Sequence, residues 1–297
     1  MRKEIELSKL LKILDEQLDN LPDKRKKSNN QKYSVKDGVN AAFSVFFTQC
    51  ASFLEHQQMM KKKKGKDNCQ SLFKVEKIPC DNQIRKLLDP IPASTIFGTF
   101  YQSYNLLENV GVIKEYKYLN QELLIGLDGT EYFSSKKINC PHCNSRKHRN
   151  GTVTYFHGAV LPTIVSPLKN KVINLEPEFI KKQDGHDKQD CENAAVKRWL
   201  KNNQAKKYSE NVTLLGDDLY SHEPIINLAR QQGYNFIFVA KNTSHYNLYD
   251  WLEFLAKSGE IKTIKNLLWD GKKNLTYQYR YVNNVPLTDS ENSIEVN

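Results

Sequence analysis

Two apolar runs in this chain end the same way. "LLIGLD" closes on Asp128, and "VTLLGDD" closes on Asp217 and its neighbour Asp218. A carboxylate at the end of an apolar strand is costly unless something cationic pairs with it, and the usual partners are a basic side chain or a metal ion. The intervening sequence supplies a frame for such a pairing. "ELLIGLDGTEYF", "TVTYFHGAVLPTIV" and "KVINLEPEFI" read as three strands in series, an antiparallel meander. "QDCENAAVKRWLKN" then reads as a helix, "VTLLGDD" as a strand, "HEPIINLARQQG" as a helix ending at Gly233, and "NFIFVAK" as a strand. A sheet that sets the first and fourth of these strands side by side brings Asp128 and Asp217 together. Two acids that close repel unless a cation lies between them, and oxygen ligands with room for water and phosphate suit Mg²⁺ or Mn²⁺.

With 297 residues, 39% hydrophobic and 26% charged, the chain is long enough for a sizeable core in two domains. No apolar run approaches a membrane span, and the start "MRKEIELSKLLK" lacks the hydrophobic centre of a signal peptide, so the expected location is the cytoplasm with no membrane partner. The six cysteines are too scattered for a disulfide framework, in keeping with a reducing compartment.

The net charge of +10 is unevenly spread. Residues 1–72 hold 15 Lys and Arg against 9 Asp and Glu, with "KRKK" at 24–27 and "KKKKGK" at 61–66. A single lysine run is as readily a solvated linker, but two runs flanking a helix point to nucleic acid, with Lys61, Lys62, Lys63 and Lys64 as backbone contacts. In the helix after Ser34 the residues Val39, Ala42, Phe43, Phe46, Phe47, Cys50, Phe53 and Leu54 fall at the spacing of one buried face, and Ser34 with Asp37 has the pattern of a capping box. A second helix is expected within "PASTIFGTFYQSYNLLENVG", capped by Ser94 and ended by Gly111. Residues 1–115 thus read as a basic, helical, DNA-binding domain.

"LLIGLDGTEYFSS", "PEFIKKQDGHDKQDCENAAVKRWL" and "TLLGDDLYSHEPIINLARQQGYNFIFVAK" resemble the DDE transposases of bacterial insertion sequences, of the insertion-sequence-four type, over roughly residues 36–297. The resemblance implies an α/β (α+β) fold: a ribonuclease-H-like mixed sheet with flanking helices at 116–245, after the helical domain and before the start of a β-rich insertion at 246–297. It implies DNA transposition in the bacterial cytoplasm or nucleoid, with transposon ends and target DNA as partners, a homodimer on DNA, and a two-metal site of Mg²⁺ or Mn²⁺ held by two aspartates and a glutamate. In such a site one ion activates the attacking hydroxyl and the other stabilises the leaving oxygen. The catalytic, metal-holding aspartates map to Asp128 and Asp217. Asp217 is preferred to Asp218 because the family's second acid is followed three residues on by an aromatic, here Tyr220, and because adjacent strand residues point to opposite faces. Asp218 then reads as a turn or helix-start acid. A ribonuclease-H-like nuclease and a non-catalytic DNA-binding remnant are the alternatives.

The third acid separates them. The family's glutamate follows the fifth strand and the insertion, on a helix with the signature Tyr-x-x-Arg-x-x-x-Glu. Tyr277 and Arg280 match its start, but Asn284 stands at the glutamate position and "YQYRYV" alternates like a strand. Glu253 lies opposite the stripe Leu248, Trp251, Leu252 and Leu255, Glu260 and Glu291 fall in loops, and Glu295 lies in "SIEVN". The expectation is an incomplete chain that lacks this acid and that binds DNA without cutting it. Two further groups have dual readings. Cys140 and Cys143 in "NCPHCNSRKHR", with His142 and His148 near, are half of a zinc knuckle or a solvent-facing hairpin loop. Asp184, His186, Asp187, Asp190 and Glu192 are a metal-binding set or, preferably, the acidic start of a helix.

Replacing Lys61–Lys64 with alanine is expected to weaken binding to all DNA sequences alike and to flatten the salt dependence measured by fluorescence anisotropy. A loss confined to one sequence would contradict the backbone-contact reading.

Overall fold

A computed structural model describes residues 5–26, 28–29, 31–62, 68–181, 190–202 and 204–297. The chain divides into two compact units, Met1–Tyr116 with Ile173–Glu176, and Lys117–Val172 with Pro177–Asn297. Within the described residues no helix is long and apolar enough to cross a membrane.

The first unit is built from α1 (Leu7–Leu18), α2 (Val35–Phe47), α3 (Phe53–Lys61), α4 (Asp81–Leu88) and α5 (Gly98–Asn109). The capping box that opens α2 is present: the Asp37 N–H donates to Ser34 Oγ at 3.0 Å and the Ser34 N–H donates to the Asp37 carboxylate at 2.7 Å. The single apolar face expected from Val39 to Leu54 is not. The helix stops at Phe47, Gln49 takes a positive φ of 54°, and Ser52 caps α3 by accepting the Glu55 N–H. The face that α2 buries is Val35, Gly38, Ala41, Ser44 and Val45, while Phe46 is 74% and Leu54 64% exposed. Size explains the choice, because a Cβ on Gly38 would already stand 3.0 Å from Leu87 on α4, so the helix turns its small residues to that neighbour. Phe43 and Phe47 instead cluster with Phe73, at ring separations of 6.1 and 5.6 Å. Ser94 does not cap α5 either. It lies in a tight turn from Ala93 to Ile96, and the helix begins at Gly98. Gly111 ends it as expected, with φ +85°.

The second unit is a mixed α+β structure with several sheets. Each of the three strand-like runs breaks in two, so there is no meander. The first yields β1 (Leu123–Gly126) and β2 (Gly129–Ser135), and a connection leads to β3 (Asn144–Lys147). The second yields β4 (Val153–Val160) and β5 (Thr163–Val165), and the third β6 (Ile173–Asn174), whose residues fall in the first unit, and β7 (Glu178–Ile180). Pro162 and Pro177 sit at the last two breaks, where a residue without an N–H cannot continue a ladder. β1 pairs antiparallel with β5 and parallel with β8 (Val212–Gly216), and β8 pairs parallel with β9 (Asn235–Phe238). β4 lies in a separate sheet with β2, β3 and β7.

Helix α6 (Glu192–Lys201) buries Ala195, Val196, Trp199 and Leu200, and α7 (Glu223–Gln231) buries Ile225, Ile226 and Ala229. These are their apolar stripes at helical spacing. On α8 (Tyr246–Lys257) Leu248 is buried but Trp251, expected in the same stripe, is 40% exposed. A long hairpin follows, β10 (Lys262–Trp269) with β11 (Asn274–Tyr281), and β11 carries Tyr277 and Arg280. The short strands β12 (Val285–Pro286) and β13 (Glu295–Val296) pair with each other, and Val285 joins Ile226, Leu248, Leu287 and Ile294 in one apolar cluster.

Ser34→Ala is expected to lower stability by about 1 kcal/mol through loss of the helix cap. Leu87→Ala, which empties the space over Gly38, should cost about 3 kcal/mol. Urea denaturation of the two variants against the wild type measures both.

Candidate active site

The parallel pairing of β1 with β8 sets Leu123 against Val212 and Gly126 against Leu215, and the Leu127 N–H donates to the Leu215 carbonyl at 2.9 Å. Asp128 lies two residues past Gly126 and Asp217 two residues past Leu215. Both therefore leave the same end of adjacent strands at the same level, as the first-and-fourth-strand arrangement requires. Parallel neighbours are about 4.8 Å apart. Neither acid is buried; each is exposed at the carboxyl end of the sheet. The Asp128 carbonyl accepts the Leu161 N–H, which fixes the backbone there.

A third carboxylate reaches the same place. Glu192 begins α6, and a Cβ built on Gly129 would collide with both of its carboxylate oxygens. Its Oε1 accepts the hydroxyl of Tyr220, a fully buried side chain. Burial, the bond to Glu192, and the negative charges of Glu192, Asp217 and Asp128 together hold the Tyr220 phenol well above its ordinary value. Tyr220 thus senses three acids from three elements. Arg198 fixes the start of α6: its guanidinium donates to Glu178 at 2.8 Å, to Asp190 at 2.9 and 3.2 Å, and to the Phe179 carbonyl at 3.0 Å. Asp190 is consequently an anchor for Arg198. The remaining acidic-set residues Asp184, His186 and Asp187 lie outside the described residues.

Asp218 is occupied elsewhere. Its carboxylate accepts the Lys241 N–H at 2.6 Å and the Ser244 hydroxyl at 2.6 and 2.7 Å, with His245 Nε2 3.6 Å away. Burial raises its carboxyl pKa, but these donors and the His245 and Lys241 charges outweigh it and leave the group below the ordinary carboxylate value. His245 is buried, accepts or donates to Ser221 Oγ at 2.7 Å, and stacks on His222 at 4.8 Å. Burial, then the His222 charge, lowers its pKa against the pull of Asp218. Among the described residues Asp217 is bound only locally, by the Leu219 N–H at 2.9 Å.

Asp128, Asp217 and Glu192 present hard oxygen donors next to solvent, which fits Mg²⁺ or Mn²⁺ in donor chemistry. Among the described residues, however, only Cys140, Cys143 and His157 form a group of three or more His, Cys, Asp or Glu whose ligand atoms all lie within 4.8 Å of one another. Asp128, Asp217 and Glu192 do not form such a group, so at least one of their separations is longer. His157, on β4, was not singled out in the sequence, where a lone imidazole in "TVTYFHGAV" carries no spacing signal. Glu192, a member of the acidic set with both a metal-binding and a helix-start reading, does begin a helix, and its place over Gly129 depends on the fold. Glu253, Glu260, Glu291 and Glu295 are all exposed. Lys61 and Lys62, at the end of α3, are exposed, and Lys63 and Lys64 lie outside the described residues. No protein-family model, curated protein or solved structure matches the chain.

Gly129→Ala should push Glu192 off Tyr220 and lower stability by about 2 kcal/mol, measured by thermal or urea unfolding. Asp218→Asn is expected to destabilise the protein in a pH-dependent way. A carboxyl whose folded pKa is depressed contributes stability above its unfolded value, near 3.9, and loses it as the pH falls through the folded value. The gap between wild type and variant should be wide at neutral pH and shrink in acid.

Proposed function

We propose that this chain acts on DNA as a DDE-type transposase with a ribonuclease-H-like core, using divalent-metal-dependent strand cleavage and strand transfer. The observation that carries the reading is that Asp128 and Asp217 leave the same end of the adjacent parallel strands β1 and β8, with Glu192 beside Gly129 and bonded to the Tyr220 hydroxyl. These are the two aspartates that the resemblance named. The strand order around β1 agrees with the expected mixed sheet.

Asp128, Asp217 and Glu192 would hold Mg²⁺ or Mn²⁺, and a bound ion would supply activation of the attacking hydroxyl and stabilisation of the leaving oxygen. The protein's own groups have separate tasks. Glu192 is held by the Tyr220 hydroxyl and backed by the Arg198 anchor, so it enters the site pre-positioned. Asp128 and Asp217 remain open to solvent and to a phosphate. Asp218 braces the loop after β8 through the Lys241 N–H and the Ser244 hydroxyl. The basic segments near Lys61 and Lys62 carry the sequence-independent attraction for DNA.

A second reading, a DNA-binding remnant without turnover, draws on the exposure of every glutamate after residue 240 at a distance in sequence from the two aspartates. Mn²⁺ titration and nicking of supercoiled DNA separate the two. The first reading expects Mn²⁺ uptake and nicking that are abolished by Asp128→Asn and Asp217→Asn, reduced at least tenfold by Glu192→Gln, and largely kept in Asp218→Asn. DNA binding with no nicking by the wild type would favour the remnant. Equal losses from Asp217→Asn and Asp218→Asn would overturn the assignment of the second aspartate.

A further inference from the structure

We infer that Cys140, Cys143 and His157 form a zinc site that ties the connection between β2 and β3 to strand β4. The sulfurs of Cys140 and Cys143 lie 3.7 Å apart, and His157 Nε2 stands 3.3 Å from one and 3.2 Å from the other. Zn–S bonds near 2.3 Å and Zn–N bonds near 2.0–2.1 Å at tetrahedral angles put two sulfurs about 3.8 Å apart and each sulfur about 3.6 Å from the nitrogen. The three edges of the observed triangle are those of one face of such a tetrahedron, to within a few tenths of an ångström. Hydrogen bonding alone explains the convergence poorly. A neutral imidazole offers Nε2 as one donor or one acceptor, which serves a single sulfur well and leaves the other with a weak S–H contact. One cation satisfies all three atoms.

The surroundings fit a thiolate centre. The Cys143 N–H closes a turn on the Cys140 carbonyl at 3.1 Å, and the Cys140 N–H points at Cys143 Sγ at 3.3 Å, a donor that favours the charged sulfur. The Tyr132 ring stacks on the His157 imidazole at 5.9 Å with planes 12° apart, which holds the ring orientation. Cys143 is buried, His157 is half-buried and Cys140 is exposed, so the fourth position faces solvent. Exposed His142, within the same Cys-Pro-His-Cys loop, or a water molecule completes the shell there. Two thiolates and an imidazole are soft to borderline donors, which select Zn²⁺ over the Mg²⁺ or Mn²⁺ suited to carboxylates.

The site has a structural task. Cys140 and Cys143 end an eight-residue connection, 136–143, that has no strand partner of its own, and His157 pairs in register with Phe133 in the middle of the β2–β4 ladder. An ion there fastens the loop to the central strand of its sheet. Exposed Lys136, Lys137, Lys147 and Arg149 flank the fastening on both sides. The inference does not depend on how the carboxylates are read.

The test uses the full chain under reducing conditions. Purified without chelator, it should contain one zinc per chain by elemental analysis, and Co²⁺ substitution should give tetrahedral d–d bands with a thiolate-to-cobalt charge-transfer band. Carboxylate-bound cobalt gives no such charge-transfer band. Cys140→Ser, Cys143→Ser and His157→Gln should each weaken metal binding at least about 100-fold, more than loss of a ligand's outer partner does, while Cys191→Ser and His148→Gln keep it. Absence of the charge-transfer band in the wild type, its survival in Cys140→Ser or Cys143→Ser, or a stable Cys140–Cys143 disulfide in protein handled without oxygen would overturn the inference. Because the wild-type spectrum decides the matter, a variant that fails to fold does not.

Discussion

The in-register parallel pairing of β1 with β8 is the constraint on which the rest of the second unit depends. Parallel neighbours cannot be joined by a tight turn and need a long crossover. Here the crossover contains the whole β2–β4 sheet and helix α6, and so it delivers Glu192 to the end of the strand pair that it connects. Ile125 and Leu214, paired across the ladder, are fully buried. Register is set by that burial, because a one-residue slip would turn every side chain of β8 to the opposite face. The slip would also exchange Asp217 for Asp218 at the site.

What each acid does is decided by the donors around it. Asp218, Asp190 and Glu192 begin as similar side chains near element ends. Asp218 meets the Lys241 N–H and the Ser244 hydroxyl, and its charge stabilises the loop after β8. Asp190, with a side chain only 4% exposed, meets the Arg198 fork and anchors α6. Among the described residues Glu192 meets one neutral phenol, at Oε1, and its Oε2 lies over Gly129. A carboxylate already surrounded by donors is a poor metal ligand, since its lone pairs are in use. By that criterion Asp128, Asp217 and Glu192 are the ones available.

The sequence made the local features legible and left the pairing choices obscure. The capping box at Ser34 and the stop at Gly111 depend on neighbouring residues only, and both stand. The strand runs were located, but their division was missed, because apolar content looks continuous across Leu161 and Pro162 while the chain changes sheet there. The aromatic stripe of α2 failed for a tertiary reason: Leu87 fills the groove over Gly38, and only small residues can face it. His157 is invisible as a site residue for a similar reason: it lies on a strand apart from its cysteine partners, and nothing in its own neighbourhood marks it. Glu192 belongs to an acidic set with a metal-binding reading, but only the fold places it beside Gly129 and Tyr220.

The two phrases that end in aspartate also differ in where they put glycine, and the difference has a cause in the fold. In "LDG" the glycine follows the acid, and in "LGD" it precedes it. Gly129 follows Asp128 because the Glu192 carboxylate occupies the space its Cβ would need. Gly216 precedes Asp217 because the Tyr220 ring and Phe238 close over it, with Phe238 Cδ1 only 3.0 Å from where a Cβ would be. One glycine admits the third acid, and the other admits the phenol that holds it. Neither position has positive φ, so the requirement is space and not backbone freedom. The glycines therefore belong to the same constellation as the acids: together they bring α6 and the turn after β8 close enough for Tyr220 to hold Glu192 against the ends of β1 and β8.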